Sequence, residues 1–384
     1  RRYGGGGGEG ALLKWAHGAR ARGGRRLPSQ GRRPSFLDQR KDACVTSTHS
    51  ISLDDPRLSW EGAIDVVHGE AGPSQSKGTR PWRMPSHEIG LWHPELVIRA
   101  AMPAGVRIRF ATDARTIAGT VVADAESSPI DVVCDGHLVA SIPVAGQSGF
   151  RVDALPAGRK VVEVWLPQFG PFAITGLEVD AGATIEAAPD DRPRWVTYGS
   201  SITQCRAAPS PTVTWPAIVS RRAGLNLTCL GYGGQCHLDI GVARLMRSLP
   251  ASFLSICAGI NIYGAASLGP RTFTSALTGF VQIVREGHPV TPLAIVSPIW
   301  GVHRETEANA VGFTLPTMRQ AVAEAVEALR AHGDRHVHYV DGLELFGAAD
   351  AHLLPDDLHP DGAGYALLAE RFLDRVATPL FRTA

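Results

Sequence analysis

Trp195-Val-Thr-Tyr-Gly-Ser-Ser-Ile-Thr-Gln-Cys205 is the stretch whose reading decides the fold of this chain. Trp195 to Tyr198 is a short run of aromatic and β-branched residues, the pattern of a buried strand. Gly199 then permits a sharp turn that a Cβ would resist. Two serines follow, and a helical pattern begins near residue 214. A serine at the C-terminal end of a parallel strand sits where open α/β sheets bind ligands. Ser201 is therefore the first candidate nucleophile, and a polar turn is the plain alternative.

The far end of the chain raises the value of that candidate. Leu354-Pro-Asp-Asp-Leu-His-Pro-Asp-Gly362 places Asp356 three residues before His359, just ahead of a predicted helix. A serine needs a base to take its proton, and the base needs a third group to hold its tautomer. One Asp-x-x-His turn can supply both. Residues 199–203 read Gly-Ser-Ser-Ile-Thr, which departs from the Gly-x-Ser-x-Gly elbow of α/β-hydrolases at the last position. The order serine first, then Asp and His together, also differs from chymotrypsin-like and subtilisin-like enzymes.

Between these ends the pattern is strand, helix, strand, helix. Strands are predicted over 195–199, 225–232, 252–260, 292–299 and 337–341, and helices over 214–223, 238–248, 271–287, 315–332 and 362–376. Continuous apolar strands alternating with amphipathic helices predict a parallel sheet covered on both faces, with right-handed connections. Five strands suggest the flavodoxin-like order 2-1-3-4-5, a three-layer α/β/α unit over 191–384. Ser201, Gly234 and Asn261 then follow strands one, two and three.

Upstream, residues 51–190 show short alternating runs separated by turn residues, among them 106–110, 130–134, 138–144, 160–166 and 174–179. Such spacing predicts an antiparallel β-sandwich, jelly-roll-like in form. Residues 69–85 read as a long polar loop and 187–194 as a linker. Residues 1–50 hold 11 Lys/Arg against 3 Asp/Glu, net +8, with repeated Gly and few aliphatics, and read as a disordered basic tail. The remaining residues carry net −7 and no nucleic-acid footprint. The six cysteines form no Cys-x-x-Cys pair, and neither a membrane-length apolar run nor a signal-peptide pattern is present, which suits a cytoplasmic setting.

Acyl transfer also needs donors aimed at a developing oxyanion. Gly231-Tyr-Gly-Gly234 offers backbone amides at a strand end, and Asn261 in Ala258-Gly-Ile-Asn-Ile-Tyr263 offers a side-chain amide. Either could instead be ordinary turn chemistry. Taken with Gly199–Thr203 and Asp356–His359, these pieces resemble the four blocks of the SGNH/GDSL hydrolase family over residues 195–376. The resemblance implies Ser201 as nucleophile, His359 as base and Asp356 as its orienting partner. It implies an oxyanion hole from Ser201, Gly234 and Asn261, with no cofactor and no metal. Two positions depart from the pattern: Ser200 stands where the family has Asp, and Ile262 where it has Asp after the Asn. Carbohydrate esterases of the family carry an N-terminal β-sandwich, so the resemblance implies short acyl esters, of sugars among others. Lipase-like or thioesterase activity on longer chains, and a non-catalytic glycan- or partner-binding protein, are the alternatives.

Tyr232, Tyr263, Trp300 and His303 fall at or beyond strand ends and are candidates to line a substrate pocket, with core packing the alternative for Trp300. Cys205 and Cys236 lie near the same rim. His336 and His338 read as strand histidines, and the sequon Asn226-Leu-Thr228 as part of a buried strand. The implied partner is a small-molecule or carbohydrate ester; oligomeric state is open.

Overall fold

A computed structural model describes residues 47–69 and 78–381. The basic tail expected over 1–50 lies outside the described residues as far as residue 46. Its expected border shifts, because Thr48–Ile51 is a strand paired antiparallel with Phe172–Asp180.

The C-terminal half is built on five parallel strands: Arg194–Gly199, Asn226–Gly231, Phe253–Cys257, Leu293–Val296 and Val337–Val340. Their spatial order is 2-1-3-4-5, as the strand pattern predicts. Alternate residues of each strand feed two separate cores. Val196, Tyr198, Leu254 and Ile256 pack with Val242, Phe280 and Val322 of the helices Ile240–Ser248, Pro270–Gly287 and Leu315–Ala331. Trp195, Leu227, Phe253 and Val296 pack with Trp215, Tyr365 and Phe372 of the helices Trp215–Arg222 and Gly362–Phe372. A strand buried on both sides favours apolar residues at most positions, which is why these segments read as near-continuous apolar runs.

The N-terminal half holds two antiparallel sheets around one core that includes Ile108, Phe110, Ile117, Val162, Phe172 and Leu177. The strands expected near 106, 130, 138, 160 and 174 are present, with Ile117–Ala123 and Gly149–Val152 in addition. The loop expected over 69–85 is shorter on its C-terminal side: Arg80–Trp82 is a strand paired with Asp65–Val67. Pro81 lowers strand propensity and hides this element from a sequence reading.

Two fully buried arginines tie the halves together. Arg83 donates to the carbonyls of Cys229 (3.0 Å), Gly231 (2.6 Å) and Met102 (2.5 Å). Arg107 donates to the Leu227 carbonyl at 3.1 Å and to Asn226 Oδ1 at 2.7 Å. Asn226 is accordingly buried and in turn donates to Glu61 at 2.7 Å. The 51–190 and 191–384 segments therefore share a polar, hydrogen-bonded seam rather than a loose linker. No helix among the described residues is long and apolar enough to cross a membrane.

Candidate active site

The first strand ends at Gly199, and the single turn Ser201–Gln204 follows at once. Ser200 caps that turn by accepting from the Ile202 amide at 3.2 Å. Cys205 closes it with φ +61°. A Cβ on Gly199 would collide with Thr203 Oγ1, and one on Gly231 would stand 2.5 Å from the Gln204 amide nitrogen. Both glycines thus let two strand ends press directly on the turn that carries Ser201.

The loop before the last helix brings the other two groups. Asp356 Oδ1 accepts from the amides of Leu358 at 3.1 Å and His359 at 2.7 Å. Asp356 Oδ2 lies 2.7 Å from His359 Nδ1, and His359 Nε2 lies 2.7 Å from Ser201 Oγ. A carboxylate can only accept, so Nδ1 carries the ring proton and Nε2 faces the serine hydroxyl as a bare acceptor. Partial burial pushes the Asp356 carboxyl up, but the His359 amide, the His359 ring and the Leu358 amide outweigh it and hold the carboxyl below its usual range. This chain of contacts can take a proton from Ser201 and keep the imidazolium paired.

Ser201, His359 and Asp356 line a cleft of about 580 Å³ together with Gly233, Gly234, Asn261, Gln204, Leu358, Phe169, Arg99 and Arg206. Asn261 Oδ1 accepts from the Cys236 amide at 3.0 Å. Its Nδ2 has no hydrogen-bond partner among the described residues and is available to a substrate oxygen. Gly234 sits at φ +74°, a conformation that favours glycine. Gln204 Oε1 accepts from the Gly233 amide at 2.8 Å and so fixes the loop that presents Gly234.

The four expected pocket residues divide. Tyr232 is fully buried, donates to the Arg83 carbonyl at 2.5 Å and does not line the cleft. The apolar core has claimed a residue whose position past a strand end suggested exposure. Tyr263 and His303 border a separate surface hollow with Arg304 and Glu307, where Tyr263 donates to the Glu307 carbonyl at 2.8 Å. Trp300 lines a narrow apolar cavity of about 40 Å³ with Ser200, Ile260 and Phe372, and Leu358 borders both that cavity and the cleft. Cysteine chemistry is disfavoured here: burial raises the Cys205 thiol and pushes Cys257 up to about 12.

Sequence reasoning missed Gln204, Arg99, Phe169 and Arg206. Gln204 follows the serine block, and its position one helical turn after Ser201 was a usable signal. Arg99 and Phe169 come from the N-terminal half, and no local pattern points to them.

Two family models match the chain: the GDSL-like lipase/acylhydrolase family over residues 193–377, and the SsfX3 N-terminal domain over residues 58–175. Among solved structures, the salicylyl-acyltransferase SsfX3 from a tetracycline biosynthetic pathway is 33% identical, with a TM-score of 0.79, covering 86% of this chain and 97% of that one. A family two carbohydrate esterase from Cellvibrio japonicus aligns at 14% identity with a TM-score of 0.60, covering 86% and 98%. An acetyl xylan esterase from the rumen bacterium Butyrivibrio proteoclasticus aligns at 11% identity with a TM-score of 0.54, covering 87% and 98%. At those two lower identities the likeness is one of fold. No curated protein matches the chain.

Proposed function

We propose a serine-based acyl-transfer mechanism for this cleft from the premise that the chain belongs to the GDSL-like lipase/acylhydrolase family. The protein is a hydrolase of ester bonds. Ser201 Oγ attacks the ester carbonyl while His359 Nε2 takes its proton. Asp356 keeps the ring in the right tautomer and stabilises the imidazolium. The Ser201 and Gly234 amides and Asn261 Nδ2 receive the oxyanion. His359 returns the proton to the leaving alcohol, and water releases the acid by the reverse sequence. The observation that carries this reading is the unbroken line Ser201–His359–Asp356, 2.7 Å at each step.

The substrates we propose are short acyl esters of polar alcohols, carbohydrates among them. What supports this is the polar part of the lining, Arg99, Gln204, Arg206 and Asn261 beside the three reacting residues, which can bond a polar alcohol while Phe169, Ala207 and Leu358 supply apolar contact. We read the N-terminal part, 51–190, as a jelly-roll-like sandwich and 191–384 as a three-layer α/β/α catalytic unit. Rates on p-nitrophenyl esters of graded length test the assignment: activity should peak at acetyl or propionyl, and a maximum at octanoyl or longer would reverse it. The salicylyl-acyltransferase relative favours a second outcome for the acyl-enzyme, capture by an alcohol instead of water. Adding glycerol or methanol to the assay and separating the products measures that partition.

A further inference from the structure

We infer that the cleft recognises esters bearing an anionic group, a carboxylate or a phosphate, through Arg99 and Arg206. This rests on the esterase reading above and names its substrate class. Arg99 belongs to the helix Pro94–Ala100, and Arg206 follows the turn that carries Ser201. Both guanidinium groups lie over the ring of Phe169, at 5.7 Å and 4.3 Å from its centre. Both line the same cleft as Ser201 and His359.

Neither cation is neutralised by a dedicated carboxylate. Arg99 has no ion pair among the described residues, and its Nε is shielded from solvent without a hydrogen-bond partner. A shielded, unpartnered donor is uncommon and calls for a group that completes it. Arg206 has one partner, Glu126 at 3.4 Å, and that pair stands in water with 61% and 64% of the two side chains exposed. Such a pair is weak and readily exchanged. The one carboxylate among the lining residues, Asp356, is committed to His359 at 2.7 Å. Two like charges held over one ring beside a reacting serine repel one another unless an anion enters. The planar fork of a guanidinium matches carboxylate and phosphate oxygens. Phe169 offers an aromatic ring within cation–π reach of both forks.

The test compares methyl 4-acetoxybenzoate, which is neutral, with 4-acetoxybenzoate and 4-acetoxyphenyl phosphate. The wild-type protein should show kcat/KM roughly tenfold higher on at least one anionic ester, the scale of one charge-assisted hydrogen bond. The better of the two identifies the anion. Arg206→Glu and Arg99→Gln should each collapse the anionic-to-neutral ratio, and added salt should shrink it. Arg206 is exposed at the rim, so Arg206→Glu keeps the test open even where Arg99→Gln fails to fold. A ratio near one in wild type, or a ratio that survives both substitutions, overturns the inference. Should no ester be turned over, the esterase reading has failed, and calorimetry of Ser201→Ala with inorganic phosphate judges the anion site alone. Binding that disappears on adding Arg206→Glu sustains the site, and no binding by Ser201→Ala overturns it.

Discussion

Asn261 uses the two ends of its amide differently, and that division makes its role measurable. Oδ1 accepts from the Cys236 amide at 3.0 Å, while Nδ2 has no partner among the described residues and, in the proposed mechanism, receives the oxyanion. Asn261→Asp keeps the acceptor and removes the donor, so kcat should fall by roughly 10²–10³ or more with little change in KM. Asn261→Ala should lose the same catalysis and about 1–2 kcal/mol of stability besides. Steady-state kinetics beside a urea melt of each variant separates the two effects; an unchanged kcat would make Asn261 a loop residue. Asp356 gives a second prediction through its lowered pKa. A carboxyl depressed in the folded state stabilises fully above its unfolded value, about 3.9, and loses that contribution as pH falls through the folded value. Urea melts should therefore show wild type more stable than Asp356→Asn at pH 5, with the gap closing below about pH 4. A gap that widens in acid would contradict the sign.

At the level of elements, the strand ends depend on a residue far from them in sequence. Arg83 reaches from the segment after Arg80–Trp82 to the carbonyls of Cys229 and Gly231, at the end of the second parallel strand. Its side chain is fully buried, and burial lowers its pKa even though Cys229 and Tyr232 counteract this. Arg83→Met takes a donor from each of several buried carbonyls and should cost about 3 kcal/mol or more, read from a denaturant melt. Because Gly231 leads into the Gly233–Gly234 loop, kcat should fall as well. The strands and helices of the parallel sheet were legible because burial on both faces imposes apolar runs on each strand. Asp356 and His359 were legible because three residues fix both within one turn. Arg83 was not, since a lone arginine between Trp82 and Met84 carries no period and its partners on the parallel strand are about 150 positions away. The helix Pro94–Ala100 was missed for a related reason: at seven residues it is too short to show a helical repeat. Tyr232 was misplaced because position past a strand end does not tell which way a side chain turns.

Taken whole, the N-terminal half is part of the machine that holds the cleft. Asp131 accepts from Ser210 Oγ at 2.6 Å and from the Thr212 amide at 3.0 Å, anchoring the loop after the serine turn. Gln168 donates to the Ala208 carbonyl at 2.9 Å, beside Phe169. The fragment 191–384 alone would bare these partners together with those of Arg83 and Arg107, so it should lack a cooperative melt by circular dichroism. A fragment that melts like the full chain would show the seam to be dispensable. The N-terminal border is testable too. A protein starting at residue 47 retains the strand Thr48–Ile51 and one starting at 52 does not, so the second should melt lower.

The central claim is that Ser201 is the acyl-carrying nucleophile, activated by His359. Treatment with a serine-directed fluorophosphonate, followed by peptide mass spectrometry, tests it most directly. The account predicts one adduct on the peptide carrying Ser201, absent in Ser201→Ala and formed far more slowly in His359→Ala. An adduct on Ser200 or elsewhere, or labelling of Ser201→Ala at the wild-type rate, would contradict it.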